Sequence, residues 1–147
     1  MVIGIFGESC TGKSTLAEKL QHLLAAEVYT GMDYLRLAKN ASIAKKLFQK
    51  KLETAVFGAH IIYVISEKEH LSFLPDQAVR ILTVANLDLI QERFAERMRG
   101  NLPAPVAAML ERKHGCFDNE RYDARVVSGE DDLDSICASV QSMANAL

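Results

Sequence analysis

Short apolar runs alternate along this chain with segments whose apolar residues recur every three or four positions. That alternation predicts strand and helix in turn, and so a parallel sheet with helices on its faces. Residues 2–6 are apolar throughout and read as a buried first strand. Residues 13–26 follow as a helix with Leu16, Leu20, Leu23 and Leu24 on one face. Residues 27–30 form a short second strand, and two helical pieces come next, around 33–39 and 43–57. Residues 61–66 are apolar on both faces, as a central parallel strand requires, and 79–84 make a fourth strand. A helix from Leu87 to about Arg99 carries Leu87, Ile90 and Phe94 on one stripe. Pro103 and Pro105 open a further short helix, which Gly115 ends. Residues 123–127 are the fifth strand. In the final helix Leu133, Ile136, Cys137, Val140, Met143 and Leu147 share one face. No repeat, low-complexity stretch or linker divides the chain. The expectation is one α/β domain over 1–147, a three-layer sandwich around a five-stranded parallel sheet.

Composition narrows the class of partner. The chain is 49% hydrophobic and 24% charged, with a net charge of −2, which suits an ordinary globular domain. So balanced a charge gives no reason to expect nucleic acid or a membrane surface as a partner. No apolar stretch approaches a membrane span, and the apolar start is too short for a signal peptide, so a cytoplasmic location is expected. Cys10, Cys116 and Cys137 lie far apart, and their number and spacing argue against a disulfide framework or a zinc site. His22, His60, His70 and His114 show no ligand-like spacing.

One segment carries specific chemistry. Gly7-Glu8-Ser9-Cys10-Thr11-Gly12-Lys13-Ser14 fits G-x-x-x-x-G-K-[ST] at every fixed position. The glycines let the backbone wrap a phosphate with successive N–H groups pointing inward. Lys13 neutralises the outer phosphates, and the Ser14 hydroxyl ligates Mg²⁺. The helix that follows adds its positive end. A buried strand before Gly7 and an amphipathic helix after it supply the context that the motif demands. These eight residues and Thr15 are therefore the candidates for binding ATP. Lys13 is expected at an exposed helix start. Cys10 reads either as a solvent-open thiol made more acidic than a free one by a helix N-terminus and Lys13, or simply as a small residue that fits the loop.

Other features limit the kind of P-loop protein. No N-K-x-D motif follows, which argues against a Ras-like GTPase, and the chain is short for a motor or an AAA+ subunit. Thr30-Gly31 followed by Leu35-Arg36 looks like the T-G-x-x-x-R segment of nucleoside monophosphate kinases, with Arg36 one position late. Residues 75–85, running into Gln91-Glu92-Arg93-Phe94-Ala95-Glu96-Arg97, resemble the fourth strand and arginine-bearing helix of cytidylate kinases. Tyr122-Asp123-Ala124-Arg125-Val126-Val127-Ser128 resembles their last strand. The resemblance implies a kinase that moves the ATP γ-phosphoryl group to a nucleoside monophosphate such as CMP. It implies an acceptor-binding segment at about 31–57, holding Asp33 and Arg36, and a lid at about 93–115, delivering Arg93 and Arg97. It also implies that Glu67, where those kinases usually carry an aspartate, shares Mg²⁺ with Ser14.

The bland readings stand beside these. Asp33 can simply cap a helix. Arg93 and Arg97 can form salt bridges with Glu92 and Glu96 on a solvated face. Residues 33–53 hold six cations against two acids, most of which suit an exposed helix. Two rival functions remain: a kinase for a non-nucleotide metabolite, and a nucleotide-binding module with little turnover. The missing strand-three aspartate and the short acceptor region point toward the latter.

Overall fold

A computed structural model describes all residues, 1–147. Its strands are β1 (Val2–Gly7), β2 (Glu27–Thr30), β3 (Ile61–Ile65), β4 (Val79–Val84) and β5 (Ala124–Val127). Its helices are α1 (Lys13–Leu24), α2 (Ala41–Ala55), α3 (Leu87–Arg97), α4 (Ala104–Lys113) and α5 (Leu133–Asn145). Two 3-10 helices, Asp33–Leu37 and Lys68–Phe73, lie in the connections after β2 and β3. The five strands form one sheet in the order β2-β3-β1-β4-β5, every neighbouring pair parallel. The sheet is the α/β sandwich expected from the alternation.

Strand alternation divides the core between the two faces. Val2 and Phe6 of β1, with Tyr63, Ile65 and Leu82, face α2. Ile3 and Ile5, with Ile62, Val64 and Ile81, face Leu16 and Leu20 of α1 and Cys137 and Val140 of α5. A third, smaller cluster joins Cys10 to Ala85, Ile90 of α3 and Leu110 of α4. That cluster sits beyond the sheet's carboxyl edge and sets the two helices over the phosphate loop. No helix is long and apolar enough to cross a membrane.

The α2 face is strongly aromatic. Phe48 lies 4.9 Å from Tyr29, 4.9 Å from Tyr63, 5.4 Å from Phe73 and 5.6 Å from Tyr34, measured between ring centroids. It is fully buried. Removing so large a buried ring costs about 3–5 kcal/mol. Phe48→Ala is therefore expected to shift the urea midpoint strongly without changing the slope of the transition. A loss below about 1 kcal/mol would mean the cluster is not a packed unit.

The elements depart from expectation in a few places. Leu23, Met143 and Leu147 follow the helical stripes but are 45%, 44% and 66% exposed. All three lie in a last turn or at the terminus, where no neighbouring element covers them. The 3-10 helix over 68–73 was not expected. Its His70 and Phe73 are buried, but six residues are too few to display a period.

Candidate functional site

The phosphate loop leaves β1, the middle strand, at the sheet's carboxyl edge, where ligands bind in open α/β folds. Two glycines are sterically required there. A Cβ on Gly7 would drive into the carbonyl and hydroxyl oxygens of Thr83, and Gly12 has φ +87° at the start of α1. Thr11 closes the turn: its hydroxyl donates to the Glu8 carbonyl at 2.8 Å and lies 2.7 Å from the Thr83 hydroxyl. Either hydroxyl can donate in that pair, since the Thr83 hydroxyl also reaches the Phe6 carbonyl at 3.4 Å. Thr83, on the neighbouring strand, thus braces the loop from below.

Arg93 braces the loop from the side. Its guanidinium donates to the Cys10 carbonyl at 2.9 Å and to the Ser128 hydroxyl at 2.7 Å. It thereby ties the loop to the turn after β5 while Cys10 holds φ +64°. Cys10 is 5% exposed, packed against the small cluster shared by α3 and α4. The solvent-open thiol is therefore not found: the loop offers its backbone to the cavity and turns this side chain inward.

Lys13 is also more enclosed than expected, at 6% exposure. It begins α1 and borders one cavity with Arg97, and its ammonium folds back onto the Glu8 carbonyl. Burial pulls its pKa down from 10.5 to about 8, with Cys10 opposing and Arg97 adding to the effect. A polyanion bound here would restore the charge. Its binding should then take up a proton above about pH 8, and its affinity should fall by up to about tenfold per pH unit over that range. Calorimetry of ATP binding in two buffers of different ionisation enthalpy at pH 8.5 reads the uptake. Identical heats in both would show that Lys13 is already charged in the empty loop.

Two connected cavities lie over the loop. One, of about 150 Å³, is lined by Lys13, Ser14, Thr30, Ser66 and Arg97 among others. The second, of about 350 Å³, lies between Thr15, Arg93, Ser128, Gly129 and Leu133, and Arg97 borders both. A larger space, of about 490 Å³, opens between α2 and the amino ends of β2 and β3, remote from these groups. Ser14 and Thr15 are exposed at the start of α1 and free to meet a ligand.

The remaining predicted residues fall outside this centre to differing degrees. Glu67 is exposed and borders a small adjoining cleft with Ser9, Lys113 and Phe117, while Ser66 lines the phosphate cavity itself. No three histidine, cysteine or acidic side chains gather to hold a metal. The residues present fit Mg²⁺ held by the Ser14 hydroxyl and by ligand phosphates, not by an all-protein cage. Asp33 accepts from the Thr30 amide at 2.9 Å and stays exposed. Arg36 lies 4.3 Å over the Tyr29 ring and 3.9 Å from Glu27, so it turns back along the sheet edge, away from the loop. Thr83, Ser128 and His114, which the motif pattern does not mark, all touch loop residues or their braces.

No family model matches the chain, and no curated protein matches it in sequence. Solved structures do match. An uncharacterized protein from Eubacterium ventriosum superposes with a TM-score of 0.66 at 16% identity, over 100% of this chain and 99% of that one. The shikimate kinase from Acinetobacter baumannii, solved with shikimate, gives 0.63 at 12% identity, over 99% and 93%. A tunicamycin resistance protein from Deinococcus radiodurans gives 0.63 at 16%, over 97% and 94%. The chain therefore shares the fold of these proteins, an α/β sandwich on a five-stranded parallel sheet, over nearly its whole length. Nothing in these likenesses singles out the cytidylate kinases.

Proposed function

We propose that this protein is an ATP-dependent phosphotransferase acting on a small acceptor. The observation that carries the reading is the phosphate loop itself: a braced cradle with a desolvated Lys13, opening onto cavities that Arg97 borders. Lys13 and the loop amides hold the β- and γ-phosphates, and the triphosphate runs toward the Ser128–Gly129 turn. Ser14 would hold Mg²⁺, which would supply neutralisation of charge on the phosphate oxygens. The acceptor oxygen forms its bond to the γ-phosphorus as the bond to the β–γ bridging oxygen breaks, and ADP leaves. Asp33, which opens the 3-10 helix after β2 and accepts from the amide of the cavity-lining Thr30, takes the acceptor proton, and Arg97 answers the charge that develops. Catalysis is then chiefly positioning and charge stabilisation.

The acceptor can be narrowed. A monophosphate acceptor such as CMP brings a dianion, and guanidinium groups are the natural partners for it. Arg36, the residue expected to grip it, is engaged with Tyr29 and Glu27. Arg93 is engaged with the loop. The aromatic cluster of Tyr34, Phe48 and Phe73 fills the space beneath the acceptor segment. These observations favour a hydroxyl-bearing metabolite over a nucleoside monophosphate.

A panel of acceptors with Mg-ATP, read by ADP release, tests both levels. Turnover with hydroxyl acceptors and not with nucleoside monophosphates is expected. Arg36→Ala should then leave the acceptor KM within about twofold, because the guanidinium lies over Tyr29 and beside Glu27 and does not meet the acceptor. CMP turnover with an acceptor KM that rises tenfold in Arg36→Ala would restore the monophosphate reading. ATP binding without any acceptor-stimulated turnover would leave a nucleotide-binding module.

A further inference from the structure

Glu8 occupies the first variable position of the phosphate loop and is bonded at both of its ends. Its carbonyl accepts from Thr11 at 2.8 Å and from the Lys13 ammonium. Its carboxylate leaves the loop altogether. One oxygen lies 3.1 Å from Nδ1 of His114, and the other accepts from the Gly115 amide at 3.2 Å. The carboxylate is well covered, with the Glu8 side chain 11% exposed against 37% for His114.

The segment it holds is the end of α4. His114 caps that helix, and the chain then turns through Gly115 into Phe117, which is buried against Phe6 of β1 at 5.7 Å. At its other end, α4 follows the 98–103 connection, where Arg99 and Gly100 have φ +62° and +86° and residues 98–101 are exposed. The segment expected as a lid, 93–115, is thus held at Arg93 and at its carboxyl end, with the exposed 98–101 turn between.

We propose that Glu8 is a positioning residue that transmits occupancy of the phosphate loop to α4. With the loop empty, Lys13 rests on the Glu8 carbonyl. A bound triphosphate draws the ammonium away, the Glu8 carbonyl is left with its Thr11 bond alone, and the shift of Glu8 that follows is passed by its carboxylate to the His114–Gly115 turn. The α4 helix then swings about this fastening, and the exposed 98–101 turn beyond its other end closes over the site. No bond other than hydrogen bonds is made or broken. The mechanism rests on the reading that the loop binds a nucleoside triphosphate.

Hydrogen exchange with a non-hydrolysable ATP analogue, in wild type and in Glu8→Ala, reads the coupling. In wild type, the analogue should change protection through 98–115. In Glu8→Ala, the Gly115 amide loses a charged acceptor and should exchange about tenfold faster or more, and the analogue-induced change through 98–113 should vanish. ATP affinity, measured separately by calorimetry, sets the analogue concentration at which wild type and variant are both saturated. Glu8→Gln can still accept from Gly115 and should recover most of the response. His114→Ala removes one bond from a half-exposed side chain, serves as the milder variant if Glu8→Ala melts early, and should halve the response or more. An undiminished analogue response in Glu8→Ala and His114→Ala would overturn the proposal. So would an affinity loss in Glu8→Ala as large as that of Lys13→Ala, which would make Glu8 part of the phosphate cradle only. Failure of wild type to bind ATP at all would instead strike the functional reading.

Discussion

Lys13→Ala is expected to weaken ATP binding by on the order of a hundredfold to ten-thousandfold while the fold survives. The affinity estimate follows from two charge-assisted hydrogen bonds to the outer phosphates, each worth about 1.5–3 kcal/mol. The survival of the fold follows from a different argument. Lys13 is buried, and in the empty loop its ammonium has a carbonyl as its hydrogen-bond partner and no carboxylate. Burial without a counter-charge disfavours the charged form, which is why its pKa falls to about 8. The sign follows directly. The folded chain releases this proton more readily than the unfolded chain, whose lysine titrates near 10.5. Below about pH 8, Lys13 therefore costs the empty protein stability, and the cost fades as pH rises from about 8 to 10.5. Replacing it by alanine or methionine should leave the melting temperature unchanged or raise it at pH 7. Calorimetric titration with ATP and a thermal melt on the same sample check both halves. Unaltered ATP affinity would remove the loop from the binding site, and a large drop in melting temperature would show that the ammonium stabilises the empty fold.

What could be read from the sequence divides by the range of the interaction concerned. The sheet was legible because each strand is a short apolar run and each helix a periodic one, so burial is written locally. Val2 and Phe6 against Ile3 and Ile5 display the two faces in five residues. The phosphate loop was legible because its glycines answer steric demands within the loop and its Lys13 and Ser14 stand at fixed spacing. The braces were not. Thr83, Ser128 and His114 are ordinary polar residues in sequence, 72, 35 and 106 positions from the groups they meet. Nothing local marks them. The same holds for errors of orientation. Arg36 looks free in a basic segment, yet the Tyr29 ring and Glu27 carboxylate of the edge strand attract it. Cys10 looks like a loop residue and so exposed, yet Ile90 and Leu110 from distant helices close over it. Pattern tells which residue types occupy a segment, whereas only the packed chain tells which way each of them faces.

The two arginines of α3 are expected to separate in a way that their shared spacing conceals. Arg93 gives hydrogen bonds to the Cys10 carbonyl and the Ser128 hydroxyl, so it is committed before any ligand arrives. Arg97 is exposed, takes part in none of the chain's ion pairs, and borders both cavities over the loop. It is also close enough to Lys13 to help depress its pKa, so two cations converge where the γ-phosphate would lie. Their repulsion in the empty site is relieved by the bound γ-phosphate, and Arg97, with no other ion pair, is free to tighten on the phosphoryl oxygens as charge redistributes toward the transition state. Only an interaction that strengthens toward the transition state raises kcat. Arg97→Ala should therefore lower kcat by about a hundredfold or more, the scale of losing one preorganised donor, with the ATP KM within about threefold. Arg93→Ala should act on the loop instead. The Cys10 carbonyl and Ser128 hydroxyl lose their partner, and the loop's left-handed turn at Cys10 loses its lateral support. ATP affinity should fall by about tenfold or more, with a lower melting temperature and a smaller change in kcat than Arg97→Ala gives. The measurement is steady-state kinetics of both variants with the acceptor that turns over best, or with water as acceptor if none does, alongside calorimetric ATP binding. If Arg97→Ala raises the ATP KM and spares kcat, Arg97 binds the ground state and the transferring group must be stabilised from elsewhere. If Arg93→Ala shows the kcat loss with intact affinity, the guanidinium leaves Cys10 and Ser128 during the reaction, and the bonds of the empty structure describe only its resting place.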